Sequence, residues 1–226
     1  MTASAAAAPP LPPAVPLPAL PPRMPSRRYG LARAAGKAFL WITGWSWRGG
    51  FPDVPRAVLI LWPHTSNWDG LVCLAAAAVT GADVRFLAKD SLFKGVQGRL
   101  LRWWGGIAVD RSAPGGLVGR ALERFAEASA AGEPFYLGIA PEGTRSEGQH
   151  WRSGFHRIAR QAGVPVVLLT LDYGRKEVGV LGGLHPSADA EADARALAAL
   201  ADGVVAQHPE RAIPPRLRPA LEAPAG

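Results

Sequence analysis

Two short stretches of this chain carry side chains able to move a proton and to hold an anion. In P-H-T-S-N-W-D-G (63–70), His64 closes an apolar run and Asp69 follows five positions later. In A-P-E-G-T-R-S (140–146), Glu142, Gly143, Thr144 and Arg145 share one turn that also follows an apolar run. A histidine oriented by a carboxylate is a general base. A glycine turn with hydroxyl and backbone donors and an arginine fork suits a phosphate. Together they suit transfer to a hydroxyl on an anionic substrate. Taken singly, each has a plainer reading: a structural histidine beside an ordinary helix-start acid, and a solvated turn with a surface arginine.

Other residues extend the pattern. Lys89 in L-A-K-D-S-L-F and Arg111 in G-G-I-A-V-D-R end strand-like runs. With Arg145 they can form one phosphate cradle, although each alone reads as a solvated charge. No serine or cysteine stands in a nucleophile-elbow context, so His64 is expected to activate a substrate hydroxyl rather than a protein nucleophile. Cys73, the only cysteine, lies in L-V-C-L-A-A-A-A-V and reads as a small buried hydrophobe. The five histidines show no ligand spacing with cysteines or carboxylates, so neither a metal nor another cofactor is expected.

These groups need a frame to position them, and the hydropathy pattern is that of an α/β protein. A-V-L-I-L-W (57–62) is a continuous apolar run of the kind found in a buried central strand. A helix is expected at about 67–80, a strand at 83–88, an amphipathic helix at 92–104 and a strand at 106–110. Ser112 can cap a helix from near Pro114 to Ala130. A strand at 134–140 leads into the second motif. A helix at 153–162, strands at 164–171 and 177–181, and a helix from about 187 to 207 complete the pattern, with the last turns frayed. Alternating strands and helices imply one domain with a largely parallel or mixed sheet flanked by helices.

The ends differ from this frame. Residues 1–27 form a Pro/Ala-rich disordered tail, with eight prolines between 2 and 22. Over 28–50, Leu31, Ala34, Ala35, Ala38, Phe39, Ile42 and Trp45 recur at helical spacing beside Arg33, Lys37 and Arg48. That helix either packs on its own domain or lies in a headgroup layer, where basic residues and tryptophan are favoured. The main domain is expected over 51–212, with a flexible tail at 213–226. No signal peptide or membrane span is recognisable. The 226 residues carry a formal charge of +7, which calls for an anionic partner: a phospholipid surface, a phosphorylated substrate or nucleic acid. Between 85 and 111, six basic and two acidic residues alternate with Phe86, Phe93, Trp103 and Trp104. This is a surface for stacking bases or for the edge of a bilayer.

The chain resembles the glycerolipid acyltransferases, whose best-known members are the lysophosphatidate (1-acylglycerol-3-phosphate) acyltransferases. The resemblance spans roughly 36–185 and rests on four blocks in the family's order: H-T-S-N-W-D, G-G-I-A-V-D-R, P-E-G-T-R-S and V-P-V-V-L-L. It implies that His64 is the base and Asp69 its partner. It also implies that Arg111, Glu142, Gly143 and Arg145 belong to acceptor-phosphate blocks, that Lys89 contacts phosphate, and that Pro165 lies in the block associated with the acyl chain. The implied reaction moves a fatty acyl group from acyl-CoA or acyl carrier protein to the hydroxyl of a lysophospholipid, with 1-acylglycerol-3-phosphate giving phosphatidate. It would take place at an anionic membrane surface on the cytoplasmic side, with no nucleic acid partner. Pro63 stands where phosphatidate-forming members often carry asparagine, and A-P precedes the third block in place of a phenylalanine. The rival readings are another hydroxylated acceptor, such as a lyso-aminolipid, and a non-catalytic basic domain that binds lipid or nucleic acid.

Overall fold

The apolar run at 57–62 becomes β2 (Arg56–Leu61), whose residues 57–60 are buried, as a strand covered on both faces must be. The computed structural model describes residues 19–109, 116–143 and 150–217. Among these, seven strands form one sheet in the order β1 (Ser46–Gly49), β7 (Glu177–Leu184), β6 (Val166–Asp172), β2, β5 (Phe135–Ile139), β3 (Val84–Lys89) and β4 (Gly106–Val109). Pairing is parallel throughout except between β6 and β7, so the sheet is mixed. The C-terminal ends of β2 to β6 therefore emerge along one edge. The segments after β2 and β5 carry His64 and Glu142, which sequence separates widely.

Helices cover both faces. The steps from β2 to β3 and from β3 to β4 run the same way across the sheet. Right-handed crossovers place their connecting helices, α2 (Asn67–Thr80) and α3 (Gly95–Trp103), on one face. The α1 helix (Leu31–Thr43) joins them there, with Leu40 packed among Val72, Ala75 and Val79 of α2. The returning steps place α4 (Gly116–Ala130) and α5 (Gly154–Ala162) on the other face. There Phe125, Phe155 and Ile158 share a core with Leu197 of α6 (Ala190–Leu200).

Four expectations are corrected. The disordered tail expected over 1–27 is anchored in its described part, where Met24 is buried and the Asp83 N–H donates to the Pro25 carbonyl oxygen. The N-terminal helix stops at Thr43, because Gly44 adopts a left-handed conformation and its N–H closes the last turn. Ser46–Gly49 then form the edge strand β1, and W-S-W obeys a period of two rather than 3.6, so Trp45 and Trp47 are both buried. They are core residues, not headgroup anchors. The helix expected over 187–207 shortens to Ala190–Leu200, capped by the Asp189 carboxylate, which accepts from the Ala192 N–H. The tail expected from 213 is anchored through Leu217. Ile213 is buried, and the Leu217 N–H donates to Glu191. The cap expected at Ser112 lies outside the described residues.

The α1 helix packs on α2 through one narrow face. Gly36 and Leu40 face inward, whereas Leu31, Ala34, Ala35, Ala38, Trp41 and Ile42 are exposed. The apolar stripe read from the sequence therefore points away from the domain. Close approach of α1 to α2 depends on Gly36, where an added Cβ would sit 3.0 Å from the Ala75 carbonyl oxygen and 3.2 Å from Val79. Gly36→Val is expected to wedge the helices apart and lower the unfolding free energy by about 1–3 kcal/mol, measured by urea denaturation.

Candidate active site

The site is built on the start of α2. Ser66 is the N-cap, and its hydroxyl accepts from the Trp68 N–H at 3.1 Å. Asp69 is the third helical residue, and its Oδ2 accepts from the Ser66 N–H at 2.8 Å and the Thr65 N–H at 2.7 Å. The same oxygen lies 3.0 Å from His64 Nδ1. The spacing of His64 and Asp69 is thus the spacing of a capping box whose carboxylate also reaches the residue two before the cap. Its other oxygen, Oδ1, accepts from the Tyr173 hydroxyl at 2.6 Å.

Electrostatics assign the proton. Burial pushes the Asp69 carboxyl upward, but hydrogen bonds from His64, Tyr173 and Ser66 outweigh it and hold the group below the usual carboxylate range. An ionised carboxylate only accepts, so Nδ1 carries the proton and Nε2 is the basic nitrogen of His64. The tyrosine remains a donor. Burial, the bond to Asp69 and that residue's charge all raise its pKa. Cys73 is no nucleophile, since burial and Asp69 push its thiol up to about 12.

The second motif meets the first through Glu142. This carboxylate is only 2 % exposed, and its Oε2 accepts from the His64 backbone N–H at 2.8 Å. Its Oε1 accepts from the Ile213 N–H at 3.3 Å. Glu142 thereby braces the histidine loop. The chain's end completes the brace. Ile213's carbonyl oxygen accepts from the indole N–H groups of Trp62 and Trp151, at 3.0 and 3.2 Å, and the His208 N–H donates to Thr65 at 3.2 Å. Gly143 takes a left-handed φ of 66°, and the Arg152 side chain occupies the space a Cβ would need.

Lys89 is exposed at the end of β3, with one strand, β5, between it and β2. That places it on the same edge as His64, roughly 10 Å across the sheet. Arg111, Thr144 and Arg145 lie outside the described residues. Pro165 is not brought to this edge. It precedes β6, its carbonyl oxygen accepting from the Val58 N–H, on the order of 15 Å of strand rise from where β2 ends. Sequence reading missed Tyr173, Arg152 and the strap around Ile213. Tyr173 had a usable signal as the residue where an apolar strand meets a glycine turn; the strap, among prolines, had none.

A second histidine–aspartate pair, His156 Nε2 to Asp193 Oδ2 at 2.9 Å, is buried between α5 and α6 and clamps those helices. Among the described residues, no group of three or more histidine, cysteine or acidic side chains could hold a metal ion.

An imidazole held by a buried carboxylate thus stands at the C-terminal edge of a mainly parallel sheet, an arrangement able to accept a proton. The sequence profile of the Acyltransferase family matches residues 51–171, and the chain belongs to that family. It is an acyltransferase. Its structure is similar to that of the 1-acyl-sn-glycerophosphate acyltransferase PlsC of Thermotoga maritima, with a TM-score of 0.53 over 77 % of this chain and 75 % of that one. Sequence identity is 17 %, so the likeness is one of fold. No curated protein matches the chain.

Two outcomes are expected. Tyr173→Phe removes one donor from a charged acceptor and should cost about 1.5–3 kcal/mol of stability at neutral pH. Because the Asp69 pKa is depressed, this contribution exists above the unfolded value of 3.8 and is lost as pH falls through the folded one. Denaturation of both proteins at neutral and acidic pH measures the convergence. Glu142 behaves oppositely. Burial, aided by the Asp69 charge and partly offset by the two N–H bonds, raises it from 4.5 to about 7. Between those values the folded state holds more protons than the unfolded state, so this contribution to stability falls as pH rises. Glu142→Gln should flatten the decline in Tm across that window, as read by calorimetry.

Proposed function

We propose that this acyltransferase moves a fatty acyl group from acyl-CoA or acyl carrier protein to the free hydroxyl of a lysophospholipid, with 1-acylglycerol-3-phosphate giving phosphatidate as the leading reaction. The observation that carries the reading is the His64–Asp69 dyad, tied by Glu142 to the loop that leads to Arg145. His64 Nε2 takes the acceptor's hydroxyl proton as the oxygen attacks the thioester carbonyl carbon. The tetrahedral intermediate then collapses, the C–S bond breaks, and the imidazolium returns its proton to the departing sulfur. Asp69 stabilises the imidazolium without itself becoming protonated. Product ester and free thiol balance the step without a protein nucleophile.

The acceptor reading rests on cations. Lys89 stands at the same sheet edge as His64, and we assign Arg111 and Arg145 with it to the phosphate. We assign Gly143 and Thr144, next to Glu142 in sequence, to the same acceptor site. The enzyme works as a peripheral protein on the cytoplasmic face of an anionic membrane. Support comes from α1, whose apolar stripe points outward. Among the described residues, no helix is long and apolar enough to cross a membrane.

His64→Ala is expected to lower thiol release from acyl-CoA with lysophosphatidate by about 10²–10⁴-fold while circular dichroism and Tm stay near wild type. Turnover within threefold of wild type would remove His64 from the mechanism.

A further inference from the structure

Exposed apolar side chains are unevenly distributed over this molecule. Among the described residues, eleven large ones are exposed. Nine of these lie on the α1–α2–α3 layer or in the turn leading into α3: Leu31, Trp41, Ile42, Trp68, Leu71, Leu92, Val96, Leu100 and Trp103. The opposite layer of α4, α5 and α6 contributes only Leu200. The α1 stripe enters the functional reading above, but α3 is a separate helix with its own surface. Val96, Leu100 and Trp103 are 80 %, 56 % and 42 % exposed. At about 100° per residue they fall within roughly 60° of arc, on the side opposite the buried Gly98. Gly98 lies against the Phe93 backbone, where an added Cβ would collide. The stripe is therefore the outermost line of α3.

Charge selects its partner. Lys94, Arg99 and Arg102 are exposed beside the stripe, and α3 contains no acid. A second copy of this surface would bring cation against cation. Aliphatic Val96 and Leu100 offer no ring on which a base could stack, and Trp103 is engaged by the Arg27 guanidinium at 5.1 Å and the Tyr29 ring at 6.0 Å. Apolar side chains flanked by arginine and lysine on a solvent-facing helix fit the headgroup boundary of an anionic bilayer.

We infer that α3 is an interfacial helix, lying flat in an anionic bilayer through Val96, Leu100 and Trp103, independently of α1. The placement has a purpose in the fold. The α3 helix starts at the sheet edge where β3 ends, so Leu92 and Val96 lie on the side of Lys89 and the His64 loop. Docking there puts Lys89 at headgroup depth, where a phospholipid acceptor can be reached without leaving the membrane. This last clause rests on the acyl-transfer reading; the docking itself does not.

The test is flotation of the full chain with phosphatidylcholine vesicles containing phosphatidylglycerol. Val96→Glu with Leu100→Glu is expected to reduce the bound fraction by about tenfold or more, since it removes two apolar insertions and adds two repelled charges. Lys94→Gln with Arg99→Gln, which leaves the apolar stripe in place, should weaken binding at low salt and flatten its salt dependence. It serves as the second probe if the first variant unfolds. Thiol release with a monomeric short-chain lysophosphatidate should be unchanged in both variants, whereas release with a bilayer-embedded acceptor should fall with binding. Wild-type flotation by both variants overturns the inference. So does a glutamate variant that loses self-association in sedimentation, or single-stranded DNA binding, while floating normally. Reduced flotation with no thiol release from either acceptor, in wild type or variants, upholds the docking and fails the acyl-transfer reading instead.

Discussion

One carboxylate holds this site together. Asp69 gathers two backbone N–H groups, an imidazole and a phenol around a side chain almost closed to solvent. Without those donors, burial would favour its neutral form, and a neutral acid could neither cap α2 nor fix the imidazole tautomer. Because the donors come with the helix start, the charge is stabilised by the same bonds that begin α2. The orientation of His64 and the start of α2 are here a single arrangement.

The sheet supplies the rest. Parallel strands deliver their C-terminal ends to one edge, so a histidine after β2, a glutamate after β5 and a lysine ending β3 converge although sequence separates them by 25 to 78 positions. Glu142 sits at that convergence in the opposite electrostatic condition to Asp69. Its two N–H donors do not outweigh desolvation and a neighbouring negative charge, so it titrates near neutrality. Two buried acids, hydrogen-bonded to the same loop, are thus separated in ionisation by the number and strength of their donors. The faces divide labour as well: the α4–α6 layer seals the core with large side chains and the His156–Asp193 clamp, whereas the α1–α3 layer leaves aliphatic and aromatic groups outside among cations.

Much of this was legible in the residues. The capping signature S-N-W-D placed the start of α2, and continuous apolar runs placed β2, β5 and β6, because buried parallel strands tolerate little else. The dyad followed from the same signature. What escaped were features without periodicity. The β1 strand is only four residues long and follows a helix, so two tryptophans on one face of a strand read as helix continuation. Tyr173 acts across 104 positions, and nothing local to it reveals which carboxylate it will meet. Glu142 accepts from backbone donors of residues 64 and 213, which only the sheet's topology brings near. The proline-rich segment after α6 reads as frayed because proline lacks a donor, yet its anchoring uses Ile213, just before Pro214 and Pro215, and the indoles beneath it.

That strap has a consequence for biogenesis. The bonds joining Ile213 to Glu142 and Trp62, and His208 to Thr65, close loops of 71, 151 and 143 residues. In a nascent chain the underside of the histidine loop stays open until the segment around residue 213 has been translated. The support beneath the histidine loop is therefore incomplete until residue 213 is in place, and a product clipped before it would carry the motifs of an acyltransferase without the bonds that brace them.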